Sequence, residues 1–154
     1  MDPLNIGTPI EILLVEDNPG DVRLTLEALK ESKVSNNISV ASDGVEALDF
    51  IRGLGKYSDP KPPCPDIILL DLNLPKKTGI EVLTEIKNDD EYKHIPVVIL
   101  TTSKDEEDIL KTYTYHAAAY VTKPVDFEKF LRVIKGIEDF WLNIVKLPPK
   151  KKDY

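Results

Sequence analysis

Five short apolar runs, at residues 10–15, 38–41, 67–70, 97–100 and 119–121, alternate with amphipathic stretches along the chain. Four are rich in β-branched residues or Leu; the run at 119–121 is shorter and weaker. Near-continuous apolar runs suit strands buried on both faces, as in a parallel sheet. Helical spacing fills the intervals. Asn18 is placed to cap a helix, with Pro19 at its first position and Asp21 in its first turn. Val22, Leu26 and Leu29 then fall on one face. Asp43 and Glu46 have the spacing of a capping box, with Val45, Leu48 and Ile51 behind them. Gly79 opens a helix carrying Leu83 and Ile86, and a short helix is expected over 105–113. Asp126 caps a long helix that presents Phe127, Phe130, Leu131, Ile134, Ile137 and Trp141 on one face. Five β-α units in a row predict an α/β fold, a doubly wound five-stranded parallel sheet. No internal repeat interrupts them.

Composition narrows the class without changing the fold. The 154 residues suffice for one domain with one core. A net charge of -7 argues against a nucleic-acid partner, whose surface is usually basic. The one dense basic cluster, Lys150 to Lys152, reads as a solvated tail. Cys64 is the sole cysteine, so no intrachain disulfide is possible. The N-terminal residues lack the basic and apolar regions of a signal peptide, and no apolar run is long enough to span a bilayer. The expectation is a cytoplasmic protein with neither a membrane nor a nucleic-acid partner.

In open parallel sheets, ligands sit beyond the carboxyl ends of the strands. Here the first strand ends in Glu16-Asp17, the third in Asp71 and the fourth in Thr101, and the fifth is followed by Lys123. Asp71, which follows "IILL" and precedes "LNLPKKTG", is on its own a turn residue, since Asp bonds its own backbone where strands stop. Five such residues on one rim are harder to ascribe to turn chemistry. Three carboxylates close together repel, which raises at least one pKa unless a cation intervenes. Oxygen ligands of this type suit a hard divalent ion such as Mg²⁺. With a Lys and a Thr opposite, they form a cradle for a phosphoryl group, and an Asp can itself be the nucleophile.

The stretches "LLVEDNPGD", "IILLDLNLPKKTG", "VVILTTS" and "YVTKP" resemble, in order and spacing, the strand-end motifs of two-component response regulator receiver domains. The resemblance covers about residues 8 to 135 and implies the flavodoxin-like receiver fold. It implies that Asp71 accepts phosphate from a histidine kinase's phosphohistidine. Asp17 and Asp71 would bind Mg²⁺ through carboxylates, Asn73 through its main-chain carbonyl and Glu16 through water. Lys123 would pair with the phosphate, Thr101 would donate its hydroxyl to it, and Tyr120 would be the aromatic of the switch. The Lys123–Pro124 bond is often cis in that family. "LTTS", the insertion "SDPKPPCPD" and "IEDFWLNIVKLPP" further resemble the single-domain regulators that partner bacterial phytochrome kinases. Thr102 departs from the small residue that most receivers carry after the switch Thr.

Residues 8–147 are therefore expected to form the receiver domain, its last helix extended beyond about 135, and 148–154 a flexible tail. The expected function is a phosphorylation-dependent signalling switch, not an enzyme beyond its own phosphorylation and dephosphorylation. With no room after residue 147 for an attached DNA-binding domain, output is expected through a downstream protein target. Val133, Phe140 and Leu147 form a second apolar stripe on the last helix. They suggest a homodimer through the helix at 105–113, the strand at 119–121 and the last helix. Two rivals fit less well. An aspartyl phosphatase of the haloacid-dehalogenase class would need an acid where Asn73 stands. A nucleotide- or flavin-binding turn would need several glycines where "EDNPGD" has one. His94 and His116 read as ordinary surface or partly buried residues.

Overall fold

The computed structural model describes residues 9–30, 36–101, 106, 116–123 and 132. The elements are β1 (Ile10–Val15), α1 (Pro19–Lys30), β2 (Asn36–Ala41), α2 (Gly44–Arg52), β3 (Ile67–Asp71), α3 (Gly79–Lys87), β4 (Val97–Thr101) and β5 (Ala119–Thr122). One five-stranded sheet in the order β2-β1-β3-β4-β5 joins them, and every pairing is parallel. Apart from Glu106 and Arg132, both helical, the helices expected at 105–113 and from Asp126 on lie outside the described residues, as do Thr102, the Lys123–Pro124 bond and the tail at 148–154.

The continuous apolar runs have a plain cause. Successive strand residues point to opposite faces, and both faces are covered. Leu13, Val15, Ile68, Leu70, Val97 and Ile99 pack with Leu48, Ile51, Val82, Leu83 and Ile86 from α2 and α3. Ile12, Leu14, Ile67, Leu69, Val98 and Leu100 pack on the other face with Ala28 and Leu29 from α1. Each such Leu or Ile contributes about 1.5–3 kcal/mol when removed from water. The expected weak strand forms as β5, in register with β4, Thr101 lying opposite Thr122. Strand β2 starts two residues before its apolar run, because Asn37 Nδ2 donates to Glu11 Oε2 at 3.0 Å and polar residues thereby join the ladder.

The helix starts follow their caps, with three departures. Asn18 caps α1 as expected, Oδ1 accepting from Asp21 N at 3.0 Å. However, Thr25, Ala28 and Leu29 hold the buried face of α1, and Val22 and Leu26 flank it half-buried. In α2, Asp43 Oδ1 accepts from Glu46 N at 2.7 Å, but Glu46 Oε1 accepts from Ser42 N at 2.8 Å, one residue earlier than a capping box requires. Val45 is 39% exposed rather than on the core face. Gly44 takes the inward position against the Lys77 carbonyl, which turns the next residue outward. The reciprocal capping box occurs at α3 instead. Thr78 Oγ1 accepts from Glu81 N at 3.2 Å, and Glu81 Oε1 accepts from Thr78 N at 2.9 Å.

Candidate functional site

The strand order reverses direction around β1. Chain leaving β1 returns on one side as β2, and chain leaving β2 returns on the other as β3. A crevice therefore opens beyond the carboxyl ends of β1 and β3. It is a cleft of about 660 Å³ lined by Glu16, Asp17, Asn18, Pro19, Asp21, Asp71, Asn73 and Lys123. Five of the seven residues singled out from the sequence thus meet in one place. Thr101 is fully buried at the end of β4, and Tyr120 packs half-buried against the cluster on the α2–α3 side, so neither lines the cleft. His94 and His116 are exposed and outside it.

Backbone contacts fix Asp71. Leu72 N donates to Leu100 O at 3.0 Å, and Gly79 N donates to Leu72 O at 2.9 Å. Gly79 is required by space: a Cβ there would sit 2.4 Å from Asp71 O and 2.7 Å from Leu72 Cα. The start of α3 thus packs directly behind the strand end. Asp71 itself is 2% exposed, and its Oδ1 accepts from Asn73 N at 3.3 Å.

Lys123 binds the two sides of the cleft together. Its ammonium lies 2.9 Å from Asp21 Oδ2, 3.3 Å from Glu16 Oε1 and 3.3 Å from Asp71 Oδ1. Burial alone would lower the Lys123 pKa. The Asp21 hydrogen bond and the charges of Asp71 and Glu16 outweigh it and hold the lysine above its ordinary value. Glu16, 1% exposed, behaves oppositely. Burial first, and then the adjoining Asp71, raise its pKa from 4.5 to about 7, although Lys123 and the Asn18 N–H pull it down. The repulsion expected between the acids is present, but desolvation is the larger cause.

Asp21 was read from the sequence only as a first-turn residue of a helix. No local spacing marked it for the cleft, because Asp17 precedes the Asn18 cap and does not lie on α1. Glu16, Asp17 and Asp71 each place a carboxylate oxygen within 4.8 Å of the others. An all-oxygen, multiply anionic donor set of this kind fits a divalent cation. Among the lining residues four carboxylates face one ammonium, so the cleft favours added positive charge.

Residues 12–135 match the response regulator receiver domain family. The chain belongs to that family, whose members signal through phosphorylation. It is 46% identical over 140 residues to "Response regulator Rcp1" of Synechocystis sp., covering 91% of this chain and 94% of that one. Among solved structures, the Mn(2+)-bound form of Rcp1 superposes with a TM-score of 0.72 over 91% of this chain and 99% of that one, at 46% identity. The bacteriophytochrome response regulator AtBRR gives 0.78 at 45% identity, over 86% of this chain and 95% of that one. The phosphorylated cyanobacterial phytochrome response regulator RcpA gives 0.72 at 47% identity, over 88% and 95%.

Proposed function

We propose that Asp71 is the phosphoryl acceptor and that its partner is a sensor histidine kinase of the phytochrome type. The observation that carries this reading is the Lys123 ammonium 3.3 Å from the buried Asp71 carboxylate, in a cleft that gathers three further acids. The names of the similar bacteriophytochrome and cyanobacterial phytochrome regulators support the choice of kinase.

An Asp71 carboxylate oxygen attacks the phosphorus of the kinase's phosphohistidine. The O–P bond forms as the P–N bond breaks, and the imidazole nitrogen leaves with the electron pair. Asn73 N–H holds Oδ1 and so orients the carboxylate. Asp17, Asp71 and the Asn73 carbonyl, with Glu16 beside them, would hold Mg²⁺, which would supply positive charge for the incoming phosphoryl oxygens. Lys123 supplies a further cation from the opposite wall. Thr101, whose carbonyl accepts from Lys123 N at 2.6 Å, is the hydroxyl that moves to the phosphoryl group, and Tyr120 on the adjacent strand follows it. An aspartyl phosphatase of the haloacid-dehalogenase class is disfavoured because Asn73 cannot carry a proton where that chemistry needs an acid.

The homodimer expected from the sequence rests, apart from β5, on segments outside the described residues. Light scattering with and without beryllofluoride tests it, and a chain that stays monomeric at high concentration in both states removes it. For the acceptor itself, intact mass spectrometry after incubation with a phytochrome kinase, ATP and Mg²⁺ should show one added phosphoryl group. Asp71→Asn should show none, and full labelling of that variant would overturn the assignment.

A further inference from the structure

We infer that Asp21 is a positioning residue that competes with the phosphoryl group for Lys123 and thereby limits how firmly the phosphorylated state is held. The inference rests on the reading of Asp71 as acceptor. A lysine ammonium has three N–H donors. Here it has three carboxylate neighbours, and the shortest distance, 2.9 Å, is to Asp21. Glu16 and Asp71 belong to the acidic cluster that can hold a cation; Asp21 does not. Its carboxylate stands on the first turn of α1, anchored through its N–H to Asn18 Oδ1 at 3.0 Å. It faces the same cleft from the wall opposite β3.

A phosphoryl group on Asp71 brings roughly -1.5 to -2 of charge and three acceptor oxygens to the ammonium. The lysine must then divide its donors between those oxygens and its present partners. A cation at the acidic cluster draws on Glu16 and Asp71, so Asp21 is the partner left to contest the lysine. Releasing it is easier than releasing Glu16, since the Asp21 side chain is 29% exposed and that of Glu16 is fully buried. The carboxylate also repels the phosphoryl oxygens across the cleft. Both effects act in the same direction: Asp21 weakens the phosphorylated state.

The probe is beryllofluoride, formed from beryllium chloride and sodium fluoride at saturating Mg²⁺ and followed by intrinsic fluorescence. Asp21→Asn should bind it more tightly by about fivefold, the scale of a partly exposed ion pair, and should lose phosphate from Asp71 more slowly by a similar factor. Asp21→Glu restores the charge and should return both values towards wild type, which a purely structural role for this position would not produce. Unchanged or weaker binding by Asp21→Asn, or equal shifts in the Asn and Glu variants, overturns the inference while leaving Asp71 as acceptor intact. A wild type that takes up neither beryllofluoride nor phosphate overturns both.

Discussion

Stripping divalent metal from the protein and raising the pH from 4.5 to 7 should make it less stable. Glu16 has a folded-state pKa raised from 4.5 to about 7, by burial and then by Asp71. Between those values the folded state keeps a proton that the unfolded chain has released. Stability falls with pH wherever the folded state binds more protons. The loss therefore begins near pH 4.5 and levels off above about pH 7. At about 1.36 kcal/mol per unit the full effect is a little over about 3 kcal/mol, against a total of about 5–15 kcal/mol for a domain of this kind. Glu46 and Glu85 act outside this window. For Glu46, bonds from Ser42 N, Tyr57 and Lys56 outweigh a burial effect that alone would raise its pKa; for Glu85, Lys77 is the main cause. Both are held below 4.5, so their contribution is lost only as pH falls further. The assay is urea unfolding in chelator at intervals from pH 4.5 to 8, for the wild type and for Glu16→Gln. The difference between the two curves isolates Glu16 from every other group that titrates in the range. Mg²⁺ should flatten the wild-type curve and bind more tightly as pH rises to about 7, because it displaces the retained proton. Wild-type stability in chelator that is constant or rising across the window, or the same slope in Glu16→Gln, would refute the reasoning.

Gly79→Ala should destabilise the fold by about 1–3 kcal/mol and impair phosphorylation, because the added Cβ must push α3 away from Asp71 and Leu72; paired thermal melts and phosphotransfer rates measure it, and unaltered values would show that the helix start yields freely. Thr122→Val should raise stability by about 1 kcal/mol, since Thr122 Oγ1 is buried with no hydrogen-bond partner among the described residues; a loss in urea unfolding would contradict this.

The sheet was legible because both of its faces are covered. Burial on two sides removes the polar alternation of a half-exposed strand and leaves unbroken runs such as Ile67–Leu70, which few other local structures produce. The strand-end residues were legible for a related reason: Glu16, Asp71 and Thr101 are polar residues immediately after such runs, buried at 2% or less. Asp21 was not, because a first-turn acid already has a sufficient local explanation in the helix dipole. Its pairing with Lys123 joins residues from opposite ends of the chain, which no local pattern reports. The outward turn of Val45 was hidden similarly, since it depends on Gly44 meeting the backbone of a loop that arrives more than thirty residues later.

The same long-range contacts bear on how a signal would leave the cleft. Asp71 is braced from behind by Gly79 and Leu72, and a Cβ's worth of space is not available there. A phosphoryl group on it cannot be accommodated by retreat of the strand end. The adjustment must fall on the other wall, where Lys123 N is bonded to Thr101 O at 2.6 Å. That bond ties the lysine's backbone to the end of β4, so drawing Thr101 towards the phosphoryl group loads β5 as well. Tyr120, which lies opposite Ile99 in the β4–β5 register, is carried on the strand that leads directly into Lys123. On the proposed reading of Asp71 as acceptor, rigidity on that side and linkage on the β4–β5 side would together direct the response to phosphorylation away from β1 and β3.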